Sequence, residues 1–475
     1  PGLVEAAVEV VTSGRDALQG IHEAVELYAG MLDALPDPIL RERAADVRQV
    51  GRRVIEKLAG SVGGVSPGTR NFILVAAEIG PVDLLESVGN GLVGAVTVRG
   101  GANSHAAIVA RSIGLPLLGG VDSSVLDVPD DTPVLIDADA GVVMAHPGAL
   151  DVARIIEAGD REEDLRRRLA ADRGLAHVCA DETPFVLLCN VASDVEVHRG
   201  RDSGAEGIGL LRTELPFLEA DRWPDVSDHR RTLRPMIAEA LGWPVTIRLL
   251  DFANDKIPPF LRERKAGLQA LLDNPDALAA QVRAVMGLAR GSDLKIMVPM
   301  VTTAAQLLAV SEVVDGVAAE LMVARVPVGA MVETVEAVDA VVDLCRVADF
   351  LSLGTNDLTS QALNLDRRDP RARPALTADP QVLSMIGQVV DAAAAAGRPL
   401  SVCGDAGSHP TTLPLLLGAG VRTFSVACAR IDESRYRLRR LDPRLCRSLY
   451  TEALELTSAD ETAALVRAAV GVDLT

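Results

Sequence analysis

Residues 326–357 read VPVGAMVETVEAVDAVVDLCRVADFLSLGTND, and this stretch predicts a strand, a helix and a second strand. Two short apolar runs flank a segment whose apolar residues recur at helical spacing. Strands that alternate with helices form right-handed βαβ units, so the stretch predicts neighbouring parallel strands. Each run is followed by an acidic residue, Glu333 or Asp357, which places polar chemistry at the strand ends.

The same pattern recurs through the C-terminal part of the chain. It gives eight candidate strands, FVLLCNV, GIGLLR, VTIRLLD, KIMVPM, VPVGAMVE, FLSLGT, PLSVCG and TFSVA. Eight such units over roughly 300 residues match the usual size of a closed (β/α)8 TIM-type barrel. We expect this barrel at residues 176–475, with an open doubly wound sheet as the alternative. No GxxxxGK[ST] or GxGxxG phosphate loop supports a nucleotide site.

The N-terminal part predicts three further segments. Residues 1–63 have helical periodicity and form a helical subdomain, and residues 64–147 contain shorter β-branched runs typical of a small α/β domain. Residues 148–175 end in DREEDLRRRLAADRG, a charged helix that suits a linker. The whole chain is therefore expected to be an α/β protein of several domains.

Composition excludes some classes of partner. The formal net charge of -19 disfavours nucleic acid and anionic membrane surfaces, which are bound by clustered lysine and arginine. No apolar run is long enough to span a bilayer. The six cysteines are scattered without a CxxC pair, which favours a reducing cytoplasm.

Polar side chains gather where the predicted barrel strands end, which is where barrel enzymes build their sites. Glu333 and Asp357 are hard oxygen ligands suited to Mg²⁺, although an acidic residue there is also a common helix N-cap. Arg212 and Arg248 are suited to clamp phosphate or carboxylate, and ion pairs with Glu214 or Asp251 are the alternative. Cys403 is either a buried small hydrophobe or a proton donor.

Residues 100–111, GGANSHAAIVAR, place a histidine after a glycine pair and at the start of an apolar helix. His105 then lies in the first helical turn, where unpaired backbone N–H groups and the helix dipole stabilise a phosphoryl group on the imidazole. A histidine that merely caps a helix is the alternative. The arginines and carboxylates downstream favour the phosphoryl interpretation.

Six motifs in order resemble enzyme I of the bacterial phosphoenolpyruvate:sugar phosphotransferase system, the phosphoenolpyruvate-protein phosphotransferase. They are LRERAADVRQVG, GGANSHAAIVARSIGLP, GAEGIGLLRTE, MVET, SLGTNDLT and VCGD. Pro1 falls inside the helical insertion of that family, so the chain looks like an N-terminally shortened member. Related dikinases and synthases share the swivelling domain and the barrel, and they also carry a large nucleotide-grasp domain that we do not expect here.

The resemblance implies a reaction in which phosphoenolpyruvate phosphorylates a histidine on a swivelling domain. His105 matches that phospho-acceptor, and the phosphoryl group then passes to a small histidine phosphocarrier protein, HPr. Cys403 matches the residue that protonates the enolate to give pyruvate. A cytoplasmic homodimer through the barrel is implied as well.

The resemblance also implies the ligands of the substrate and the metal. By motif, the phosphoryl group contacts Arg212 and Arg248, Mg²⁺ binds Glu333 and Asp357, and the substrate is further held by Asn356, Arg367 and Lys256.

The sequence departs from the family in several places. The NP-x-LG-x-R stretch has no clear counterpart. Gln269 or a deletion takes the place of the expected substrate arginine, and Arg264 or Lys265 is a candidate to compensate for its loss. Smaller departures are Val98, Asn103 and Asp405. Two other functions are therefore weighed. One is the same chemistry serving a dihydroxyacetone kinase relay, and the other is a catalytically impaired regulatory relative that binds phosphoenolpyruvate.

Overall fold

The structure is a computed structural model. It describes residues 2–33, 47–48, 51, 54–55, 71–88, 90–99, 105–112, 115–138, 140–253, 257–261, 267–289, 291–365 and 373–471. The chain divides into two compact units, Pro1–Glu162 and Glu163–Thr475, and the division falls inside the helix Ala149–Ala171. The finer boundaries expected from the sequence stay predictions.

The first unit contains a helical pair and a small α/β part. The helices Gly2–Thr12 and Ala17–Asp33 pack on each other. Strands β1 (Phe72–Ala76), β2 (Leu92–Thr97) and β3 (Leu117–Gly119) form a parallel sheet in the order β1-β2-β3. The helices Pro81–Val88 and His105–Ser112 connect them. Strands β4 (Val134–Asp137) and β5 (Val142–Ala145) form an antiparallel pair.

The second unit is a closed barrel of eight parallel strands, which confirms the expected fold class and excludes the open sheet. The strands, in chain order, are β6 (Val186–Val191), β7 (Ile208–Leu211), β8 (Pro244–Arg248), β9 (Asp293–Val298), β10 (Val328–Val332), β11 (Leu351–Leu353), β12 (Leu400–Val402) and β13 (Thr423–Ala427). Each strand pairs with its neighbours in sequence, and β13 pairs with β6 to close the barrel. All eight candidate strands of the sequence are present.

Helices surround the barrel strands. Their bounds are Asp194–Asp202, Val226–Glu239, Gly267–Leu272, Pro275–Leu288, Ala304–Leu321, Val335–Asp339, Val341–Val347, Thr355–Ala362, Pro380–Ala395, Thr412–Ala419, Ile431–Arg440, Pro443–Ala453 and Ala459–Val470. Short 3-10 turns lie at Ser123–Asp127, Leu215–Phe217, Pro259–Leu261, Pro374–Ala378, Asp405–Gly407 and Cys428–Arg430. Within the described residues, no helix is long and apolar enough to cross a membrane.

The barrel strands form where they do because parallel strands covered by helices are buried on both faces and therefore read as continuous apolar runs. Every residue of β7 and β10 is buried. The predicted strand FLSLGT is shorter than expected, because Thr355 already begins the helix Thr355–Ala362. Asn356 and Asp357 thus lie in the first turn of a helix rather than on the strand.

Candidate active site

The structure brings six predicted side chains to the carboxyl end of the barrel. Because all eight strands are parallel, the residues that follow them share that end. Electrostatic interactions connect Arg248 with Glu333 and Cys403, and Cys403 with Arg212. The predicted side chains found there are Arg212, Arg248, Glu333, Asn356, Asp357 and Cys403.

Arg248 ends β8 and forms a buried double ion pair. Its Nη2 donates to Glu214 Oε1 at 2.6 Å, and its Nη1 lies 3.0 Å from Asp251 Oδ2. The three side chains are at most 8% exposed. Burial alone would lower the pKa of Arg248, but the negative charges of Asp251 and Glu214 outweigh it and raise that pKa. The arginine therefore stays charged inside the barrel mouth, and both ion pairs weighed from the sequence exist.

Gln281, on the helix Pro275–Leu288, holds the segments after β7 and β8 together. Its Nε2 donates to Thr213 Oγ1 at 3.0 Å, and its Oε1 accepts from Leu250 N at 3.0 Å. Thr213 Oγ1 in turn donates to the carbonyl of Arg248 at 2.9 Å. Gln281 is fully buried, and its position in the middle of a helix gives no signal in the sequence. It fixes the backbone that carries both barrel arginines.

Glu333 follows β10 and is 2% exposed. Its Oε1 accepts a hydrogen bond of 2.7 Å from the backbone N–H of Met300, a residue held at a φ of 52° in the left-handed region. Gly354 lets the next strand pass close by, since a Cβ there would stand 2.6 Å from Glu333 Cβ. Burial and the negative charges of Asp251 and Asp357 raise the pKa of Glu333 to about 8.

These carboxylates suit a hard divalent cation. Glu333 interacts electrostatically with Asp251, which is also buried, and with Asp357, which is half-buried. Carboxylate oxygens are the ligands that Mg²⁺ prefers, and Mg²⁺ commonly keeps water or substrate at other positions. Such outside ligands would be needed here, because no three Asp, Glu, His or Cys side chains of the described residues form a ready ligand cluster.

Cys403 follows β12 and is 4% exposed, among Leu210, Met297, Met331 and Phe350. Its Sγ donates to the carbonyl of Leu353 at 3.4 Å. Burial raises the pKa of this thiol to about 11, against the opposing effect of a hydrogen bond with Ser352. Cys403 therefore keeps its proton at neutral pH, which is the state that a proton donor needs.

Asn356 and Asp405 bind each other across β11 and β12. Asn356 Nδ2 donates to Asp405 Oδ2 at 2.9 Å, and the backbone N–H of Asp405 donates to Asn356 Oδ1 at 3.0 Å. The close approach requires glycine at 404, because a Cβ there would meet Thr355 Oγ1 and stand 2.7 Å from Thr355 N. Asp405, noted from the sequence as a departure, thus orients a predicted substrate ligand.

Two cavities adjoin this pair. One, of about 370 Å³, is lined by Arg212 together with Asn190, Glu196, Arg199, Asp405 and Cys428. The other, of about 210 Å³, is lined by Asn356 together with Thr359, Ser360, Arg373, Thr377 and Asp405. Arg199 and Arg373 were missed from the sequence because they lie on a helix and in a loop, away from the strand ends. They add positive charge to the barrel mouth.

The remaining predicted residues are less fully described. The backbone of His105 begins the helix His105–Ser112, as predicted, but its side chain lies outside what the structure describes. Lys256 and Arg367 lie outside the described residues, as do Arg264 and Lys265. Gln269 donates from Nε2 to Asp273 Oδ1 at 2.7 Å on the exposed side of its helix.

Two known protein families match this chain. A protein family described as "PEP-utilising enzyme, PEP-binding domain" matches residues 166–443, and "PEP-utilising enzyme, mobile domain" matches residues 68–141. The matched ranges contain the barrel strands and His105, respectively.

The chain also resembles curated proteins over almost its whole length. It is 34% identical to a multiphosphoryl transfer protein of Xanthomonas campestris, over 98% of this chain and 57% of the relative. A multiphosphoryl transfer protein of Rhodobacter capsulatus is 33% identical with the same coverage. A phosphoenolpyruvate-protein phosphotransferase of Listeria monocytogenes is 28% identical over 98% of this chain and 84% of the relative. The chain thus spans little more than half the length of the first two relatives. Because the barrel family alone matches more than half of its residues, the chain belongs to the PEP-utilising (phosphoenolpyruvate-utilising) enzymes.

Proposed function

We propose that this chain is a phosphoenolpyruvate-protein phosphotransferase. In this proposal it moves the phosphoryl group of phosphoenolpyruvate to its own His105 and then to the histidine phosphocarrier protein HPr, and it releases pyruvate. The observation that carries the proposal is the barrel mouth, where two arginines, two carboxylates and a protonated thiol lie together. The match of residues 68–141 to a mobile domain supports the role of His105.

The charges of the mouth suit this substrate. Phosphoenolpyruvate carries both a phosphate and a carboxylate, and phosphoryl transfer depends on positioning and charge neutralisation. Arg212 lines the larger cavity, while Glu214 and Asp251 hold the Arg248 guanidinium in one orientation. Arg248 Nε is buried and has no hydrogen-bond partner among the described residues. Asn356, Lys256 and Arg367 complete the proposed substrate contacts.

The reaction then proceeds in two coupled steps. The imidazole of His105 attacks phosphorus, so that a P–N bond forms as the P–O bond of phosphoenolpyruvate breaks. The enolate left behind takes the thiol proton of Cys403 at its methylene carbon, which gives pyruvate and a thiolate that water reprotonates. Glu333 and Asp357 would hold Mg²⁺, which, when bound, offsets the negative charge of the phosphate and the enolate.

The proposal extends to the partners and the assembly. The carrier is a small protein that offers a histidine, and the chain acts in the cytoplasm as a homodimer through its barrel. Light scattering on the purified chain tests the dimer. Comparison of HPr with the carrier of a dihydroxyacetone kinase relay tests the acceptor.

Pyruvate release tests the proposed function. With phosphoenolpyruvate and Mg²⁺ alone, we expect a single turnover per chain, and with HPr we expect continued release. Cys403→Ala should lower the rate roughly 10²–10⁴-fold, the usual contribution of a positioned acid. Cys345→Ala, another buried thiol, is the matched control and should leave the rate unchanged. No pyruvate release by the folded wild-type protein would overturn the proposal.

A further inference from the structure

Cys189 and Cys428 form a pair of thiols that the proposed reaction does not use. Cys189 lies on β6, and Cys428 directly follows β13, the strand that pairs with β6 to close the barrel. Their sulfur atoms both lie beside Gly200, and the two thiols interact with each other. We propose that the two cysteines are a peroxide-sensitive pair that hydrogen peroxide oxidises to a disulfide, which joins the first barrel strand to the segment directly after the last one.

The backbone around the pair keeps the two sulfurs together. Cys189 Sγ donates to the carbonyl of Gly207 at 3.3 Å, and Cys428 Sγ donates to the carbonyl of Glu196 at 3.2 Å. Gly200, on the helix Asp194–Asp202, covers both atoms. A Cβ at 200 would stand 2.7 Å from Cys189 Sγ and 3.6 Å from Cys428 Sγ. The glycine thus lets this helix close over the thiol pair.

The two thiols differ in how accessible they are to a small oxidant. Cys189 is fully buried, whereas Cys428 is half-buried and lines the larger cavity beside Arg199 and Arg212. A small oxidant that enters the cavity therefore meets Cys428 first. The cavity lining is of mixed charge, with Arg199 and Arg212 beside Glu196, Asp202 and Asp405.

The two thiols also differ in acidity. The interaction with Cys189 lowers the pKa of Cys428, and the same interaction, together with burial, raises the pKa of Cys189. All six cysteines lie within the described residues, and Cys428 is the one whose pKa is lowered. Because the thiolate is the nucleophile, Cys428 is the attacking group and Cys189 the resolving group.

The chemistry takes two steps. The Cys428 thiolate attacks one oxygen of hydrogen peroxide, so that an S–O bond forms, the O–O bond breaks, and hydroxide leaves with a proton as water. The Cys189 sulfur then attacks the sulfenic acid, forms the S–S bond, and releases the second water. Overall, two thiols lose two electrons and two protons, and one peroxide becomes two waters. A thiol reductant reverses the reaction.

Peptide mapping of the whole chain tests the proposal. After treatment with hydrogen peroxide, free thiols are alkylated, and the protein is cleaved with trypsin and a glutamate-specific protease. Cys189 is then in peptide 183–196, Cys428 in peptide 423–430, and Cys179 in a separate peptide. We expect peptides 183–196 and 423–430 to be joined, to separate on reduction, and the oxidised protein to melt at a higher temperature than the reduced protein.

Variants separate this pair from general oxidation. Cys428→Ser and Cys189→Ala should each abolish the joined peptide, while Cys345→Ala should retain it. Recovery of both wild-type peptides as alkylated thiols overturns the proposal, as does Cys428 oxidised to sulfinic acid without the link. Since the wild-type protein gives the deciding result, a variant that fails to fold does not leave the question open.

Discussion

The Nη2 of Arg248 lies 2.6 Å from Oε1 of Glu214, and the two side chains are 6% and 0% exposed. Glu214 comes from the segment after β7, and Arg248 ends β8, so that the pair ties two adjacent strand ends. Removing one partner of a buried pair leaves an uncompensated charge, and this makes the pair costly to break. Arg248 is therefore held in place before any anion arrives.

Substitution of this glutamate tests the effect of the buried pair. Glu214→Gln should lower the free energy of unfolding by about 1–3 kcal/mol, because a hydrogen bond to a charged group is weakened in the core. Glu320→Gln is the control. It breaks a 2.8 Å pair with Arg283 whose side chains are 49% and 36% exposed, and should cost less than about 1 kcal/mol. Urea unfolding measures both, and equal effects would contradict the role assigned to burial.

Glycine at 404 is required by the approach of β11 to β12. Gly404→Ala puts a Cβ 2.7 Å from Thr355 N, so the segment bearing Asn356 must shift, and we expect a loss of about 1–3 kcal/mol in stability together with weaker phosphoenolpyruvate binding. Gly316→Ala is the opposite case. Nothing lies within 4 Å of its Cβ, and it is inside the helix Ala304–Leu321, so it should stabilise by about 0.5–1 kcal/mol. Thermal and urea unfolding show whether each substitution lowers or raises the free energy of unfolding.

His229 should make stability depend on pH. The residue is 1% exposed, its ring packs edge-on against Phe217, and burial lowers its pKa from 6.5 to about 4. The unfolded chain takes up the proton first, so the stabilisation is complete above pH 6.5 and falls as the pH drops towards 4. The shift corresponds to about 3 kcal/mol.

Replacement of the imidazole isolates its contribution. Urea unfolding of the wild-type protein and of His229→Leu is measured at pH 7.5 and pH 4.5. The loss in free energy of unfolding between pH 7.5 and pH 4.5 should be larger for the wild-type protein than for His229→Leu. Equal differences would mean that other groups account for the acid sensitivity.

The barrel could be predicted because its strands are buried on both faces and therefore appear as apolar runs without alternation. Glu333 and Asp357 were predictable for a related reason, since parallel strands bring their carboxyl ends together. The relation of Asn356 to Asp405 could not be predicted, because it depends on the register of β11 and β12. Local pattern gives the strands but not the side-chain pairs between them.

Two other features depend on contacts between residues far apart in the chain. Gln281 has no sequence signal, since a glutamine inside an apolar helix looks like an exposed position until its two buried partners are known. Cys189 and Cys428 meet only because the barrel closes. Neither relation has a spacing that a sequence pattern could reveal.

The proposed metal site has its own test. Asp357→Ala should weaken Mg²⁺ binding, measured by calorimetry in the absence of phosphoenolpyruvate, because it removes one of the two proposed carboxylate ligands. Asp339→Ala, on the helix Val335–Asp339, is a control that should leave the affinity unchanged. Unchanged Mg²⁺ affinity in Asp357→Ala would contradict the ligand role.

The most direct test of the account is the mass of the chain after mixing with phosphoenolpyruvate and Mg²⁺, followed by phosphopeptide mapping. We predict one added phosphoryl group, located on His105 and absent from His105→Ala. A folded protein that binds Mg²⁺ but gains no phosphate, or a His105→Ala variant that is still phosphorylated, would contradict the proposed transfer from the barrel to His105.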